Sequence, residues 1–579
     1  MAKTKTQVTV SQPVAPDPSD LALSGPLADA RDFNSTWNYD PYDKGSGLPW
    51  QLWDPSEFTT LRDKPVFGLT GDWDPTRPGD NNVRTQLDSG ATLQVGLDGT
   101  ITWSFYEYKN VFGVNNSHHA GEAKGYFPFT AAQKAAAFQS IQDWDDLIAP
   151  DFKYVTPDYS KGASDWAHNG IDIWMANTVS GPAQAWAYYP DQGNAYKRAS
   201  SDVWIGASGD NRTDLFDSGY GLTTQVHELG HTLGLSHPGN YNFGDDNDGD
   251  GVPDPITYQG DAFYWQDSRQ YTIMSYFDTY ETGSNMVDYN DLRVVYASTP
   301  MVDDIWVVQQ KYGAEMDTRT GDTTYGFNWT SDVTNTAMQF VNGERMVMFS
   351  IWDAGGAHDT LDVSGYYTPS IIDLREGAYS SVGGLGAYDA SWVGKIPDAD
   401  KAAYLAFVDA NQAAAGYGTA TRGAAYDLYF GGRPGANEGV PWSDFNGRDF
   451  LMENNVGIAF GTVIENAKGG HGDDRINGNQ ADNHFWGNDG ADTFVIADFS
   501  TAPGKTTLDG KVIVDTSVDT IEDFNHAQGD TIDLVSFGHD TVSNVQYVGT
   551  DLTFDANGHS YTVHVLGSGF DASTDIVYG

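Results

Sequence analysis

Three histidines and one glutamate share a spacing that suits a metal ion. His227 and His231 are four residues apart, so a helix places both imidazoles on one face, with Glu228 beside them to reach a metal-bound water. A helix would carry His237 away from this face, and Gly234 is the residue type that tolerates the necessary left-handed turn. Three neutral nitrogens with an open fourth position are typical of a catalytic zinc. Ordinary surface or core histidines are the alternative, but all five fixed positions of H-E-x-x-H-x-x-G-x-x-H are matched.

A second signal is the tripeptide Met274-Ser275-Tyr276, which follows the three histidines in the chain. A methionine-containing turn beneath the metal accompanies the longer histidine motif, and Met274 is expected to form this apolar floor. The Tyr276 phenol is expected near the metal, as an additional zinc ligand or as a hydrogen-bond donor to the reacting oxyanion. A buried structural tyrosine is the alternative.

Between these two motifs lies an acidic loop, residues 245–254. Three alternating aspartates followed by Gly251 fit the start of a calcium loop, although position twelve is Thr257 rather than glutamate. Calcium binding and a solvated acidic loop that tunes access to the cleft both remain open. The candidate ligands are Asp246, Asp248, Asp250 and Asp254.

The third signal is a nine-residue period over residues 469–495, in which Gly/Asp-rich halves alternate with short apolar ones. This period predicts a calcium-binding parallel β-roll with Ile476, Phe485 and Phe494 stacked inside, and a flexible Gly/Asp-rich linker is the alternative. The expected ligands of the repeats are Gly470, Gly472, Asp474, Asp482, Gly487, Gly490 and Asp492.

Composition narrows the class of protein. The 579 residues carry 80 acidic against 31 basic side chains, a formal net charge of -49. This balance argues against nucleic acid or an anionic membrane as a partner, and it suits a protein that meets divalent cations outside the cell. The chain has no cysteine, so disulfides and thiolate sites are excluded and every metal ligand must be oxygen or nitrogen.

No Sec-type signal peptide is visible at the N-terminus, and no stretch approaches the roughly 20 apolar residues of a spanning helix. These features alone leave a cytoplasmic protein or one exported by another route.

Residue patterning and length divide the chain into three regions. Residues 1–60 read as a leader, either a pro-segment over the active site or an arm packed on the folded domain. Residues 61–312 combine a helix at 131–148 with strand-like runs at 101–106, 171–175, 184–189 and 202–205, which predicts a mixed sheet carrying two long helices. Residues 313–579 contain short β runs, interrupted by an insertion at about 388–455 with a helical stretch at 399–415.

With these motifs on one chain, the sequence resembles the serralysins, the secreted calcium-dependent zinc metalloproteases of Gram-negative bacteria. The likeness runs from about Thr102 to the end, apart from the insertion, and includes the stretches 318–323, 352–356, 359–362 and 464–467. The resemblance implies an α+β fold: a metzincin catalytic domain with a mixed sheet and long helices, followed by an all-β parallel β-roll/β-sandwich domain.

The same resemblance implies one catalytic Zn2+ and several structural Ca2+ ions. It also implies secretion by type I machinery that reads an uncleaved C-terminal signal, here 575–579, and removal of a short pro-segment after export. The matching positions used for calcium beside the β-roll are Arg319, Gly321, Thr323, Asp353, Gly355, Gly356, Asp359 and Glu465.

The expected reaction is extracellular endoproteolysis of protein or peptide substrates by a monomer. Glu228 would act as general base, and an extended substrate would pair with an edge strand around Ala185, Trp186 and Ala187. Two alternatives remain: a non-enzymatic RTX calcium-binding surface or adhesive protein with a vestigial metal site, and a restricted protease whose insertion recognises one surface partner.

Overall fold

The computed structural model describes the greater part of the chain after residue 81, together with one short N-terminal segment. The described residues are 7–9, 82–107, 122–157, 171–180, 184–190, 201–206, 209–239, 241–242, 256, 261–262, 266–282, 284, 287–288, 293–341, 346–384, 451–496, 517–537, 541–556 and 558–578.

The N-terminal part is built on one mixed sheet. Its strand order is β1-β6-β7-β5-β2-β4, and β3 pairs with β5. Strands β2, β4, β5 and β7 run parallel, whereas β6 is antiparallel to β7 and β1 is antiparallel to β6. The strands are β1 (Gln7–Thr9), β2 (Thr100–Phe105), β3 (Tyr126–Phe127), β4 (Asp151–Tyr154), β5 (Ile173–Thr178), β6 (Ala185–Tyr188) and β7 (Val203–Ile205).

Helices of this part pack on the sheet and on one another. The two long ones, α2 (Ala131–Asp145) and α4 (Tyr220–Thr232), confirm the prediction of a mixed sheet carrying two long helices. Short 3-10 turns occur at Glu122–Lys124, Thr279–Thr282, Thr336–Met338 and Val535–Phe537. The α-helices are α1 (Asn82–Leu87), α2 (Ala131–Asp145), α3 (Asp210–Thr213), α4 (Tyr220–Thr232) and α5 (Val302–Tyr312).

Helix α2 begins at a reciprocal cap, because Thr130 and Gln133 each accept a hydrogen bond from the other's backbone N–H. It ends at Asp145, three residues before the predicted end. Phe138 has the same helical spacing as Ile141 and Trp144, but it is not buried with them. Its side chain is 48% exposed and contacts Trp103, Phe105 and Tyr154 at the side of the helix.

The C-terminal part contains no α-helix among its described residues after α5, and its strands are short. Successive strands alternate between two parallel stacks: β10, β12, β16, β18 and β20 in one, and β13, β17, β19 and β21 in the other. The chain therefore winds from one sheet to the other. A separate pair, β8 (Val287–Asp288) and β9 (Arg293–Val294), precedes α5. The strands after α5 are β10 (Thr324–Gly326), β11 (Phe349–Ile351), β12 (Thr360–Asp362), β13 (Ile371–Asp373), β14 (Tyr379–Ser380), β15 (Val456–Ile458), β16 (Asn466–Lys468), β17 (Arg475–Asn477), β18 (His484–Trp486), β19 (Thr493–Val495), β20 (Asp519–Asn525), β21 (Thr531–Asp533), β22 (Ser543–Val548), β23 (Asp551–Ala556), β24 (His559–Ser568) and β25 (Ile576–Val577).

Two large hydrophobic cores support these two parts. One includes Trp103, Trp144 and Met274 between the mixed sheet and its helices, and the other lies between the two parallel stacks. Ile476, Phe485 and Phe494 of the nine-residue repeats are fully buried in the second core, as their spacing predicts. Among the described helices, none combines the length and apolarity needed to cross a bilayer.

Candidate metal centre

Helix α4 and the turn after it bring the three histidines together. His227 Nε2 lies 3.0 Å from His231 Nε2 and 3.4 Å from His237 Nε2, and all three rings are buried. Three nitrogens bound tetrahedrally to one zinc ion, each at about 2.0–2.1 Å, would lie about 3.3 Å apart. The spacing of these nitrogens therefore fits a zinc ion.

Gly234 makes the turn that returns His237 to this group. Its φ of +88° is in the left-handed region, and a Cβ there would lie 2.0 Å from the carbonyl oxygen of Ala91. The Leu235 N–H donates to the Gly230 carbonyl at 2.9 Å and closes the helix end. A side chain at position 234 is thus excluded both by backbone conformation and by space.

Each histidine is oriented through its other ring nitrogen. Nδ1 of His227 contacts the Ile273 carbonyl at 2.7 Å, Nδ1 of His231 contacts the Leu235 carbonyl at 2.7 Å, and Nδ1 of His237 contacts the Tyr241 carbonyl at 3.1 Å. Because a carbonyl only accepts, each Nδ1 carries the proton and each Nε2 presents its lone pair. All three side chains are then arranged as metal ligands.

Burial keeps these rings neutral. It lowers the pKa of His227 to about 4, and burial followed by the charge of its neighbours lowers the pKa of His231 and His237 well below the usual value. Neutral imidazole is the form that binds a metal. At neutral pH, a metal ion can therefore bind these three rings without first displacing a proton from them.

Glu228 is the unusual group of the site. Its side chain is 0% exposed, and neither carboxylate oxygen has a hydrogen-bond partner in the described part of the protein. Burial raises the pKa of Glu228 well above its usual value. Such a buried, unsatisfied carboxylate is costly unless a further group completes it. A metal ion with its water is a group of the right chemistry.

Tyr276 and Met274 approach from the turn that follows. The Tyr276 ring is buried, with its centroid 4.2 Å from that of His237 and 6.4 Å from that of His227. Met274 is 0% exposed and lies under α4, where a Cβ at Gly230 would be 2.7 Å from its sulfur. The structure thus brings both residues to the histidine group.

Sequence reasoning missed three residues around this group. The Tyr189 ring meets the His231 ring edge-on with centroids 5.6 Å apart, and burial together with the charge of Glu228 raises the pKa of its phenol. Asp267 accepts from the Tyr241 hydroxyl at 2.8 Å, and Asp304 accepts from the backbone N–H of Ile273 at 2.7 Å. The position of Tyr189 directly after the candidate substrate strand was a usable signal, whereas no local pattern marks the two aspartates.

The first calcium candidates meet beside β10 and β12. Asp359 Oδ1 accepts from the Thr323 N–H at 2.7 Å, and Glu465 Oε2 accepts from the Asp359 N–H at 2.8 Å. Asp359 Oδ2 has no hydrogen-bond partner among the described residues. Burial, then repulsion from Asp353 and Glu465, raises the pKa of Asp359 to about 7. The carboxylates of Asp353, Asp359 and Glu465 therefore converge here and repel one another.

The other calcium candidates beside Asp359 either approach it through their backbone or already accept hydrogen bonds from neighbouring groups. Asp353 accepts from the Tyr325 hydroxyl at 2.6 Å and from the Gly355 N–H at 2.9 Å. A Cβ at Gly356 would lie 2.4 Å from Asp359 Oδ1, so the backbone passes directly over that carboxylate. The Gly321 carbonyl accepts from the Thr323 hydroxyl at 3.0 Å.

The Arg319 side chain is not available to a cation. Its guanidinium donates to the Trp352 carbonyl at 2.7 Å and to Asp146 Oδ2 at 2.7 Å. A cationic group does not bind a cation, so only the backbone carbonyl of Arg319 can contribute to a calcium site.

A second acidic group lines the winding chain. The Asp474 N–H donates to Asp492 Oδ1 at 2.8 Å, and the Asp492 N–H donates to Asp530 Oδ1 at 3.0 Å. Asp492 Oδ2 has no hydrogen-bond partner in the described segments. Burial, followed by the charge of Asp474, raises the pKa of Asp492 to about 10. Asp530 lies beyond the nine-residue repeats and was not predicted.

Glycines allow these carboxylates to approach the backbone. The Gly470 N–H donates to Asp474 Oδ2 at 2.5 Å, and a Cβ at Gly487 would lie 2.3 Å from Asp492 Oδ2. Gly490 has a φ of +133°, and a Cβ there would lie 2.0 Å from the Gly472 carbonyl oxygen. The predicted glycines of the first and third repeats therefore stand where only glycine fits.

Asp482 of the middle repeat has different surroundings from Asp474 and Asp492, and its role as a calcium ligand stays a prediction. It is exposed and accepts from the Val518 N–H at 2.8 Å. The equivalent of Asp474 is Asn483, which is fully buried and accepts from the Asn479 N–H at 2.8 Å. The repeat carries the acidic residue one position early, and the winding of the chain turns that position outward.

Several predicted features lie outside the described residues. They are the acidic-loop ligands Asp246, Asp248, Asp250 and Asp254, most of the leader, and most of the insertion, including the helical stretch predicted at 399–415.

Comparison with known proteins adds an independent line of evidence. The profile of the family described as Peptidase M10 serralysin C terminal matches residues 314–391 and 439–566, and the residues between these two matches fall inside the segment predicted as an insertion. The chain is 34% identical to Serralysin A of Dickeya chrysanthemi over 351 residues, 59% of this chain and 61% of that protein. It is 34% identical to a Serralysin C of the same organism over 373 residues, covering 64% and 67%. It is also 34% identical to Metallopeptidase AprA of Pseudomonas marginalis over 352 residues, covering 59% and 63%.

The three converging histidines form a candidate metal centre beside the mixed sheet, and the chain continues into the stacks of short parallel strands. Together with these relatives, they show that the chain belongs to the serralysin family. The matches span about three fifths of the length of the first of these relatives. Membership in this metalloprotease family implies a zinc cofactor, and the three neutral histidines with the unsatisfied Glu228 fit that ion.

Proposed function

We propose that this protein is a secreted, calcium-dependent zinc endopeptidase that hydrolyses peptide bonds in extracellular proteins. The observation that carries the proposal is the fully buried carboxylate of Glu228, without a hydrogen-bond partner among the described residues, beside three converging Nε2 atoms. A structural metal site has no use for such a group, whereas a hydrolytic site requires a base.

His227, His231 and His237 would hold the zinc through Nε2, with Nδ1 protons fixed by backbone carbonyls. A zinc ion bound there supplies Lewis-acid polarisation and makes water acidic enough to be deprotonated near neutral pH.

Glu228 would take the proton of the attacking water at a carboxylate oxygen and return it to the leaving amine. Its buried surroundings raise the pKa, which makes the carboxylate a stronger base than an exposed one.

Tyr276 would donate its phenolic proton in a hydrogen bond to the oxyanion that develops on the scissile carbonyl. The support for this role is its ring packing on His237, which places the side chain at the histidine group. A further contribution as a zinc ligand is part of the same proposal.

The substrate would bind as an extended strand along β6. Support comes from the leader, because Gln7–Thr9 pair antiparallel with this strand, in the register Gln7 with Tyr188, Val8 with Ala187 and Thr9 with Trp186. The backbone edge of β6 therefore accepts an extended chain, and two of the three predicted substrate residues, Trp186 and Ala187, are paired with the leader. This pairing is compatible with both readings of the leader, a pro-segment over the active site and an arm packed on the folded domain.

Calcium would bind along the two acidic groups, Asp353, Asp359 and Glu465 on one side and Asp474, Asp492 and Asp530 on the other. The support is chemical: buried carboxylate oxygens without partners among the described residues, close backbone approach at glycines, and a net charge of -49. The alternating parallel strands would then form the calcium-binding β-roll. The same charge suits a protein that works outside the cell, where calcium is abundant.

The test is the Glu228→Gln variant of the calcium-loaded protein. It keeps the shape of the side chain and removes the base, so zinc content is expected to be unchanged while casein hydrolysis falls at least about 10²-fold. Glu315→Gln, an acid of the chain after α5, is the matched control and should retain full activity. Hydrolysis at the wild-type rate by Glu228→Gln would overturn the role of Glu228. A wild-type protein that holds zinc but cleaves no protein would instead indicate a non-enzymatic calcium-binding protein.

A further inference from the structure

The carboxylate of Asp304, near the start of helix α5, is bonded to the segment beneath the metal centre. It is 0% exposed, and Oδ2 accepts from the Ile273 N–H at 2.7 Å and from the Met301 N–H at 2.9 Å. Oδ1 accepts from the Thr272 hydroxyl at 2.6 Å. One buried side chain therefore connects the helix to a segment 31 residues earlier in the chain.

Ile273 is the link between this carboxylate and a metal ligand. Its N–H donates to Asp304, and its carbonyl accepts the Nδ1 proton of His227 at 2.7 Å. The Ile273 carbonyl shares one planar peptide unit with the Met274 N–H, and that N–H donates to the Thr272 hydroxyl at 3.1 Å, so the direction of the carbonyl is fixed with it. Because the Thr272 hydroxyl in turn donates to Asp304, the His227 ring is oriented by a chain of hydrogen bonds that begins at Asp304 and passes through Thr272.

Thr272 fixes the same segment at a second point. Its hydroxyl donates to Asp304 Oδ1 and accepts from the Met274 N–H at 3.1 Å. Met274 in turn lies against Gly230 of helix α4, between the two histidines of that helix in sequence. The carboxylate thus holds three consecutive residues below the histidine group.

The simpler explanation for a buried acid at this position is that Asp304 caps helix α5. Capping does not account for its contacts with Thr272 and Ile273. An acid at the third position of a helix commonly accepts from the N-cap backbone, as Asp304 does from Met301. That bond is normally made at the surface. Burial of a carboxylate is costly, and the hydrogen bonds to Thr272 and Ile273 are unnecessary for a cap.

We propose that Asp304 is a positioning residue of the metal centre, which fixes the 272–274 backbone so that His227 presents Nε2 to zinc. This rests on the proposed function in one respect, that the three histidines hold a zinc ion. Groups that orient metal-bound histidines typically change metal affinity by about 10- to 100-fold when removed.

The test compares Asp304→Ala with Asp304→Asn in the full chain with calcium present. Zinc affinity is measured by competition with a chromophoric chelator, and the geometry of the site by the visible absorption of the cobalt-substituted protein. Asp304→Ala is expected to weaken zinc binding about 10- to 100-fold and to alter the cobalt spectrum. Asp304→Asn keeps an acceptor for the backbone N–H groups and should recover most of the affinity.

Asp303→Asn is the matched control. Asp303 is the neighbouring buried acid in the same turn of α5, and its backbone N–H donates to the Tyr271 carbonyl at 3.0 Å regardless of the side chain. Its zinc affinity and cobalt spectrum should equal those of the wild type. If Asp304→Ala does not fold, Thr272→Val removes one of the bonds, and a smaller loss of zinc affinity is expected.

The outcomes separate this proposal from the proposed function. Tight zinc binding by the wild type with unchanged affinity and spectrum in Asp304→Ala, or in Thr272→Val where the former fails to fold, would leave Asp304 as a helix cap alone. A wild-type protein that binds no zinc would overturn both proposals.

Discussion

At the scale of single residues, the metal centre consists of histidines that are hydrogen-bonded to the backbone through one ring nitrogen and present the other ring nitrogen to the centre of the group. Each histidine is bonded through Nδ1 to a backbone carbonyl, while Nε2 faces its two neighbours. Glu228 has no such second contact among the described residues. The difference follows from the proposed roles of these residues. A metal ligand must be held in one orientation, whereas a general base must exchange protons.

Tyr276→Phe tests the proposed oxyanion contact. The ring packing on His237 should persist, because only the hydroxyl is removed. We expect kcat to fall about 10²-fold, the usual loss when one oxyanion donor is deleted, with little change in zinc content. Steady-state kinetics on a peptide substrate, with zinc measured by elemental analysis, checks this. A kcat equal to that of the wild type would leave Tyr276 as a structural residue.

Gly234→Ala tests the turn that returns His237. A Cβ at this position meets the Ala91 carbonyl oxygen at 2.0 Å and also imposes a left-handed alanine. We expect a loss of about 2 kcal/mol or more in the free energy of unfolding, with weaker zinc binding. Gly209→Ala is the control, because its φ is helical and no atom lies within 4 Å of the added Cβ. It should change stability by less than about 0.5 kcal/mol.

At the scale of elements, sequence periodicity predicted the helices and strands whose positions depend on local residue spacing. Helix α2, helix α4 and four strands of the mixed sheet, β2, β5, β6 and β7, were located within a few residues, because their caps and apolar patterns are local, whereas β1, β3 and β4 were not predicted. Phe138 stays half exposed despite its helical spacing, since it contacts aromatic side chains of β2 and β4 at the side of the helix. Asp304 was missed because its partners lie 31 residues away and no repeat connects them.

The pairing of β1 with β6 leads to a prediction about the leader. If substrate binds along β6, residues 7–9 occupy the same backbone edge and the two compete. A protein that lacks residues 1–12 is expected to show a lower KM for peptide substrates. A synthetic peptide of residues 1–12 added to it should inhibit competitively, and a scrambled peptide of the same composition should not. Equal KM values with and without the leader would contradict a shared site.

At the scale of the whole molecule, electrostatics dominates. The chain has a formal net charge of -49, and several of its carboxylates are buried in the two acidic groups of the β domain. Such charges oppose folding unless they are neutralised by protons or by cations. Calcium would serve that purpose outside the cell and would make the stability of the β domain depend on the ion.

The stability of the calcium-free protein should therefore fall as pH rises. Burial and like charges raise the pKa of Asp359 to about 7, of Asp530 to about 6 and of Asp492 to about 10. A carboxyl with a raised native pKa binds more protons folded than unfolded, so its stabilisation is complete below the unfolded pKa and is lost as pH rises through the native value. In a chelator, calorimetry should give a higher Tm for the β domain at pH 5 than at pH 8.

Calcium should abolish this dependence, because the ion replaces the protons. Asp492→Asn separates the two effects. In a chelator this variant should be more stable than the wild type at pH 8, since one buried charge is gone, yet calcium should raise its Tm less, since one ligand is gone with it. A Tm that rises between pH 5 and pH 8 in a chelator would contradict destabilisation by the buried carboxylates. An equal calcium response in the wild type and Asp492→Asn would show that Asp492 does not bind calcium.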